Sequence, residues 1–390
     1  MIEPRDQPLN LAPASVMDYR ELARRKLPRQ LFDYIDGGAY AESTMRANVR
    51  DLRDIHLRQR ILRDVSDIDL GAEVLGESLS LPIVLGPVGL AGMFSRRGEG
   101  AAARAAEQEG IRFCESTVSI CSIEEIQAAT GVPFWFQLYV MRDRSYAENL
   151  IGRARDAGCS TLVLTVDLAV VGARYRDTRN GMMDTISGAK KLVRAWDILS
   201  HLGWVRDVAV RGKPLTFGNL EAAVPGARSP AGFKDWVDGQ FDPSVTWDDL
   251  AWVRKHWDGK LVLKGILDVD DARRAAEAGA DAIVVSNHGG RQLDDVRSTA
   301  AALPPIADAV GDKLEVLVDG GIRSGLDVVK MLALGARACL LGRAWTYAVA
   351  GGGQEGVAHV IRIIREEMNV AMALTGKRCL ADLGADVLDR

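Results

Sequence analysis

Eight short runs of β-branched and apolar residues, most of them followed by an alanine-rich or helix-period stretch, constrain this 390-residue chain more than any other feature. They are LPIVLGPVG (81–89), FCESTV (113–118), FWFQLYV (134–140), TLVLTVD (161–167), LVLKGI (261–266), AIVVSN (282–287), EVLVDGG (315–321) and ACLLGRAW (338–345). Strands buried on both faces read as continuous apolar runs, and parallel pairing requires a crossover that is usually helical. Segments such as GEGAAARAAEQEG, DVDDARRAAEAGA and SGLDVVKMLALGA supply those crossovers. Eight βα units predict an α/β chain folded as a (β/α)8 TIM barrel. An open doubly wound sheet is the rival. It is disfavoured because the first βα turn carries no G-x-G-x-x-G, and because polar residues recur at the C-terminal strand ends, where a barrel gathers its active site.

Two segments fall outside the repeat. Residues 1–80 read as an N-terminal helical cap, with helical patterns over Asp18 to Lys26 and Pro28 to Ile35 before a DGGA turn, and the barrel occupies 81–390. Residues 168–245 form a long insertion after the fourth strand, and connections of that length are usually functional. A formal charge of −4 gives no global positive field for nucleic acid, so any anion site must be local. Five scattered cysteines without a C-x-x-C pair fit a reducing compartment, no secretory leader is legible, and no metal is called for. The uncharged run from Ser78 to Ser95 is long enough to approach a membrane span, but its two prolines and three glycines make it a buried strand entering a loop.

His288 stands out among five histidines because it lies in SNHGGRQLD, directly after the sixth strand. The two glycines allow close backbone approach to a flat ligand, and Arg291 follows where its fork can hold a carboxylate or phosphate. Asp167 ends the fourth strand and can stabilise a protonated imidazole, with helix capping as its plainer role. Lys264 sits inside an apolar strand, where burial is costly unless it meets an anion. Ser116, Gln137, Tyr139 and Thr165 add polar groups to strands two to four. VDGGIRSG and LLGRAW, at strands seven and eight, provide glycine amides together with Arg323 and Arg343, where barrels commonly hold phosphate.

With these motifs, FDYIDGGAY, LPIVLGPVGLAGM, STVS and GARYRD, the chain from about Asp18 onward resembles the FMN-dependent α-hydroxy-acid oxidases and dehydrogenases, and is most similar to the bacterial quinone-linked L-lactate dehydrogenases. The resemblance implies that Tyr34 and Tyr139 face the substrate, that Arg174 and Arg291 grip its carboxylate, and that His288 is the base with Asp167 its partner. It implies FMN contacts from Ser116, Gln137 and Thr165 to the ring and from Lys264 to its pyrimidine side. Pro87, Val88 and Gly89 would lie at the reactive face, and Asp319, Gly321, Arg323, Gly342 and Arg343 at the ribityl and phosphate. Gly89 stands where resembling oxidases often carry Ala, and Val118 where some members carry a large aromatic, which leaves substrate size open. The expected activity is oxidation of L-lactate to pyruvate with electrons passed to membrane quinone. Glycolate or mandelate as substrate, and a non-redox isomerase or lyase using the same phosphate site, are the alternatives.

Lys190 to Lys213 carries six basic and two acidic residues, with Trp196 and Trp204 among aliphatics. Such a stretch can lie on an anionic membrane or dock on its own barrel. The resemblance favours the membrane, hence a peripheral protein on the cytoplasmic side, and implies a homotetramer. On this reading the whole stretch, tryptophans included, is dispensable for the barrel chemistry.

Overall fold

The computed structural model describes residues 11–182, 188–221 and 239–389. The eight strands β1 (Ile83–Leu85), β2 (Arg112–Ser116), β3 (Trp135–Leu138), β4 (Thr161–Thr165), β5 (Lys260–Ile266), β6 (Ala282–Val285), β7 (Glu315–Val318) and β8 (Ala338–Leu341) pair in parallel. β8 returns to β1, closing the expected (β/α)8 barrel. Alternate residues divide between two cores. Val84, Cys114, Trp135, Val163, Val262, Val284, Leu317 and Leu340 fill the interior. Phe113, Phe136, Leu162, Leu263, Ile283 and Val316 face the surrounding helices. Each such fully buried side chain contributes about 1.5–3 kcal/mol.

A hairpin of Ala72–Val74 and Glu77–Leu79 closes the N-terminal end of the barrel, placing Val74, Leu75 and Leu79 in the interior cluster. Glu77 accepts from Trp135 Nε1 at 3.0 Å and Ser160 Oγ at 2.8 Å and pairs with Arg112, while Leu75 N–H reaches Glu315 at 3.0 Å. One end is therefore sealed and the opposite end carries the site.

Every strand except β5 stops before the end of its apolar run. The overrunning residues belong to loops, and the left-handed region is reached just past the β6 run, at His288 with φ 57°, and within the β7 run, at Gly320 with 97° and Gly321 with 83°. Hydrophobicity marks burial there, whereas the backbone has already turned to present groups to the barrel mouth. Ahead of the barrel, helices Val16–Lys26 and Arg29–Asp36 match the two expected helical patterns. The first opens with the Ser15 hydroxyl accepting the Asp18 N–H at 3.2 Å. A third helix, Ser43–Asp54, follows the DGGA turn, and its sequence pattern had not revealed it. Its buried face is mostly polar, Thr44 and Asn48 with Leu52, so no apolar stripe announces it.

The insertion contains the helices Tyr175–Arg179, Ala189–Ser200 and Leu202–Trp204 and the π-helical turn Val205–Val210. Its parts at 183–187 and 222–238 lie outside the described residues. Among the described residues no helix is long and apolar enough to cross a membrane, and all five cysteines are free.

Candidate active site

A cavity of about 560 Å³ opens at the C-terminal strand ends. All the site residues singled out in the sequence line it except Gln137 and Asp167, which stand behind the lining.

His288 Nδ1 lies 2.9 Å from Asp167 Oδ1. Asp167 is at the end of β4 and His288 just beyond β6, so the pair spans the barrel mouth over β5. Burial pushes the Asp167 carboxyl upward, but the imidazole and Lys264 outweigh it and hold the carboxyl below its ordinary value. An ionised Asp167 keeps the ring proton on Nδ1 and leaves Nε2 as the free basic nitrogen. The His288 N–H donates to Ser286 Oγ at 3.0 Å, and Gly289 and Gly290 continue the left-handed run at 65° and 72°. At Gly290 a Cβ would lie 2.6 Å from Met45 N, so glycine is required there by contact as well as by conformation.

Lys264 points inward from β5, its Nζ 2.9 Å from Asp319 Oδ2 and 3.0 Å from Ser286 Oγ. Burial disfavours its charge, yet Asp319 and Asp167 more than restore it and the ammonium is held above its usual value. The buried lysine thus meets the anion that its place in an apolar strand requires.

Arg291 donates to the carbonyls of Tyr34 at 2.6 Å and Gly37 at 2.9 Å and lies 4.7 Å over the Tyr34 ring. Arg174 lies 5.9 Å from the same ring, and its Nε reaches the Arg291 carbonyl at 3.4 Å. Burial first, and Arg174 second, lower the Arg291 guanidinium. Carbonyl dipoles satisfy N–H groups without neutralising charge, so the two arginines and Tyr34 form a cationic face suited to a carboxylate. Tyr139 lies opposite, edge-on to Phe241 with centroids 5.3 Å apart, its phenol kept neutral by burial and by the Asp167 charge.

Arg343, read in the sequence as phosphate charge, lines the cavity and also has a second set of partners. Its guanidinium donates to the carbonyls of Ile35 at 3.0 Å, Gly37 at 2.6 Å and Gly289 at 2.8 Å, bracing the cap against the His288 loop. Burial lowers it to about 9. At this end of the cavity the anion-favouring features are the N-terminus of the helix that begins at Arg343 and is broken at Gly353, the Gly320–Gly321 turn, and the Arg323 and Arg343 side chains. Arg323 N–H is itself held by Asp327 Oδ2 at 2.9 Å.

The donor set fits a flavin mononucleotide. Gln137 is buried on β3, accepts from Ser116 Oγ at 3.2 Å, and leaves Nε2 without a partner. Asp319 Oδ1 is likewise buried and unpartnered. Buried polar atoms are rarely left so, and a ring with carbonyl and imino edges and a hydroxylated chain supplies what both lack. At Gly89 a Cβ would lie 2.7 Å from Val118 Cγ2, so the glycine reflects a close approach of the loops after β1 and β2.

Several cavity residues had not been read as cavity residues in the sequence. Arg194, Ile198 and Trp204 of the insertion line it, and Trp204 Nε1 donates to the Met93 carbonyl at 2.7 Å. The stretch 190–213 is therefore not separable from the site as expected, and Trp204 faces the barrel. Only a contact map could reveal this, because one helix serves two surroundings. Asp36, whose carboxylate receives Arg20, Arg176 and Tyr347, was visible only as part of the DGGA motif.

Comparison with known proteins agrees with this geometry. Residues 23–390 match the family model described as FMN-dependent dehydrogenase. An L-lactate dehydrogenase of Caulobacter vibrioides is 55% identical over 375 residues, covering 96% of this chain and 97% of that protein. One from Xanthomonas oryzae pv. oryzae is 53% identical over 380 residues, covering 97% and 96%. Among solved structures, the monotopic membrane protein (S)-mandelate dehydrogenase superposes with a TM-score of 0.89 at 37% identity, covering 97% of this chain and 99% of that one. Mandelate oxidase gives 0.81 at 39% identity, covering 97% and 98%. A barrel closed at one end, a paired base and a cationic face at the other, and a match along nearly the whole chain agree: this protein belongs to the family of FMN-dependent dehydrogenases.

Proposed function

We propose that the protein oxidises L-lactate to pyruvate and passes the electrons to a lipid-soluble quinone at the cytoplasmic face of the cell membrane, as a homotetramer. The observation that carries the reading is the meeting, in one cavity, of the His288–Asp167 pair with the Arg174–Arg291–Tyr34 face. FMN, when bound, supplies the two-electron acceptor that no side chain provides. Arg174 and Arg291 hold the substrate carboxylate and so fix its C2 in the cavity. His288 Nε2 takes a proton, and Asp167 stabilises the imidazolium that forms. Ser116, Gln137, Thr165 and Lys264 would hold the ring, Pro87, Val88 and Gly89 would back its reactive face, and Asp319, Gly321, Arg323, Gly342 and Arg343 would hold the ribityl chain and the phosphate. The L-lactate dehydrogenases among the relatives support lactate, and Val118 supports a second reading with a bulkier acid such as mandelate, since it leaves the space a large aromatic would fill.

Anaerobic addition of L-lactate is expected to bleach the FMN absorbance of the purified protein, and a quinone analogue to reoxidise it faster than air-saturated buffer. A colourless protein rejects the redox reading, faster reaction with oxygen marks an oxidase, and bleaching by mandelate alone moves the substrate.

The insertion supplies the membrane part of the proposal. Helix Ala189–Ser200 has no buried residue, and exposes Leu192, Val193, Trp196 and Leu199 on one stripe beside Lys190 and Lys191. Arg194 and Ile198 lie on the other side, and Asp197 holds the Arg29 N–H at 2.8 Å. Replacing Leu192 and Trp196 with Glu together with Lys190 and Lys191 with Gln is expected to weaken anionic-vesicle binding at least tenfold, since each basic residue contributes about 1 kcal/mol and the apolar stripe more. Lactate oxidation with a soluble dye should stay within about twofold, because none of these four side chains lines the cavity. Undiminished vesicle co-sedimentation would assign the stripe to another contact.

A further inference from the structure

We propose that Asn48, on the cap helix Ser43–Asp54, is a positioning residue that sets the His288 loop for proton transfer. The side chains of Asn48 and Asn287 face each other and exchange both hydrogen bonds, Asn48 Nδ2 to Asn287 Oδ1 and Asn287 Nδ2 to Asn48 Oδ1, each 2.8 Å. Both are buried, 2% and 4% exposed. Asn287 immediately precedes His288, and its Oδ1 also accepts the Gly290 N–H at 3.1 Å while its Nδ2 reaches the Arg297 carbonyl at 3.1 Å. Asn48 Oδ1 in addition accepts the Thr299 N–H at 3.2 Å. One buried amide pair thus ties together the cap, the base loop and the start of the helix Thr299–Val310.

The rest of the cap helix reinforces this contact. Asp294, from the same loop, accepts the N–H groups of Ser43 at 3.1 Å and Thr44 at 2.7 Å at the helix N-terminus, and the Gly290 carbonyl accepts the Ala39 N–H at 2.8 Å. The Asn48 main chain also meets the β7 turn, because its carbonyl oxygen would lie 2.2 Å from a Cβ at Gly321. A single cap residue touches both the base loop and the turn expected to hold the ribityl phosphate.

Removing the Asn48 side chain leaves the Asn287 amide buried without two of its partners, at a cost of about 1–3 kcal/mol for an unsatisfied group. The loop relieves that cost by moving, since His288 is held at φ 57°, a conformation that a residue other than glycine keeps only under constraint. A shift of about 1 Å in a catalytic group can lower a rate on the order of 10²-fold. The inference rests on His288 being the base.

The test uses the full-length FMN-loaded protein as Asn48→Ala, Asn287→Ala, the double variant and Asn48→Asp, with His288→Gln as reference. Per bound FMN, the rate of reduction by L-lactate is expected to fall about 10- to 100-fold in each alanine variant. Amide exchange at Gly290 should quicken, and the double variant should be no slower than the slower single one, since both act through one contact. Asn48→Asp keeps the acceptor for Asn287 Nδ2 and Thr299 N–H but not the donor, so it falls in between and serves if the alanine variant does not fold. An unchanged rate per bound FMN, with or without faster exchange, overturns the proposal, as does additive loss in the double variant. Failure of the base assignment reads out separately, as a full rate in His288→Gln.

Discussion

His288→Gln is expected to keep its FMN and to lose lactate turnover by about 10²- to 10⁴-fold, the range over which general-base catalysis operates. The residues fitted to the cofactor lie elsewhere, so the substitution removes a base without removing a holder. Gln preserves a polar side chain of similar reach but has no basic nitrogen, and the Asp167 carboxylate then faces an amide. Asp167→Asn tests the other half of the pair. With the carboxylate gone, the 2.9 Å contact no longer fixes the ring proton on Nδ1, and the imidazolium loses its counter-charge. The rate should fall by a smaller factor than in His288→Gln, with FMN content unchanged. Steady-state lactate oxidation at the parent rate in His288→Gln would remove this residue from the chemistry.

Arg291→Lys is the second large effect. Lysine keeps the positive charge, but it cannot span the Tyr34 and Gly37 carbonyls, now 2.6 and 2.9 Å from one guanidinium nitrogen, while presenting a second donor pair to a carboxylate. The ammonium would also lose the planar stacking on Tyr34, at 4.7 Å. Hydrogen bonds to charged groups contribute about 1.5–3 kcal/mol each, so kcat/KM for lactate should drop about 10²-fold or more. FMN per chain should remain near one, because the residues proposed to hold FMN do not include Arg291. Equal loss of FMN and of kcat/KM would place Arg291 on the cofactor.

The two substitutions separate the roles that the geometry separates. His288 lies between Asp167 and the cavity, whereas Arg291 is joined to the cap through the carbonyls of Tyr34 and Gly37. Arg343 repeats the second pattern with Ile35, Gly37 and Gly289. The segment Tyr34–Gly37 therefore supplies main-chain acceptors to both arginines, and Asp36 within it is anchored by Arg20, Arg176 and Tyr347. The cap is a wall of the active site.

By itself the sequence determined the barrel and the end of it that acts. Burial on both faces of eight strands leaves apolar runs that no other element needs, and left-handed glycines beside His288 and at Gly320–Gly321 mark where the chain turns at the mouth. These are local consequences of burial and backbone conformation, so they survive in one dimension. The direction of Lys264 and the brace made by Arg343 were decided only by the closed fold. So were the two-sided helix Ala189–Ser200 and the pairing of Asn48 with Asn287. Strand register sets which face of β5 turns inward, and the helix at 189–200 follows one apolar pattern whether its partner is barrel or solvent. The amide pair joins positions 239 residues apart, and the energy that selects it exists only once the cap has docked and water has been excluded from both side chains.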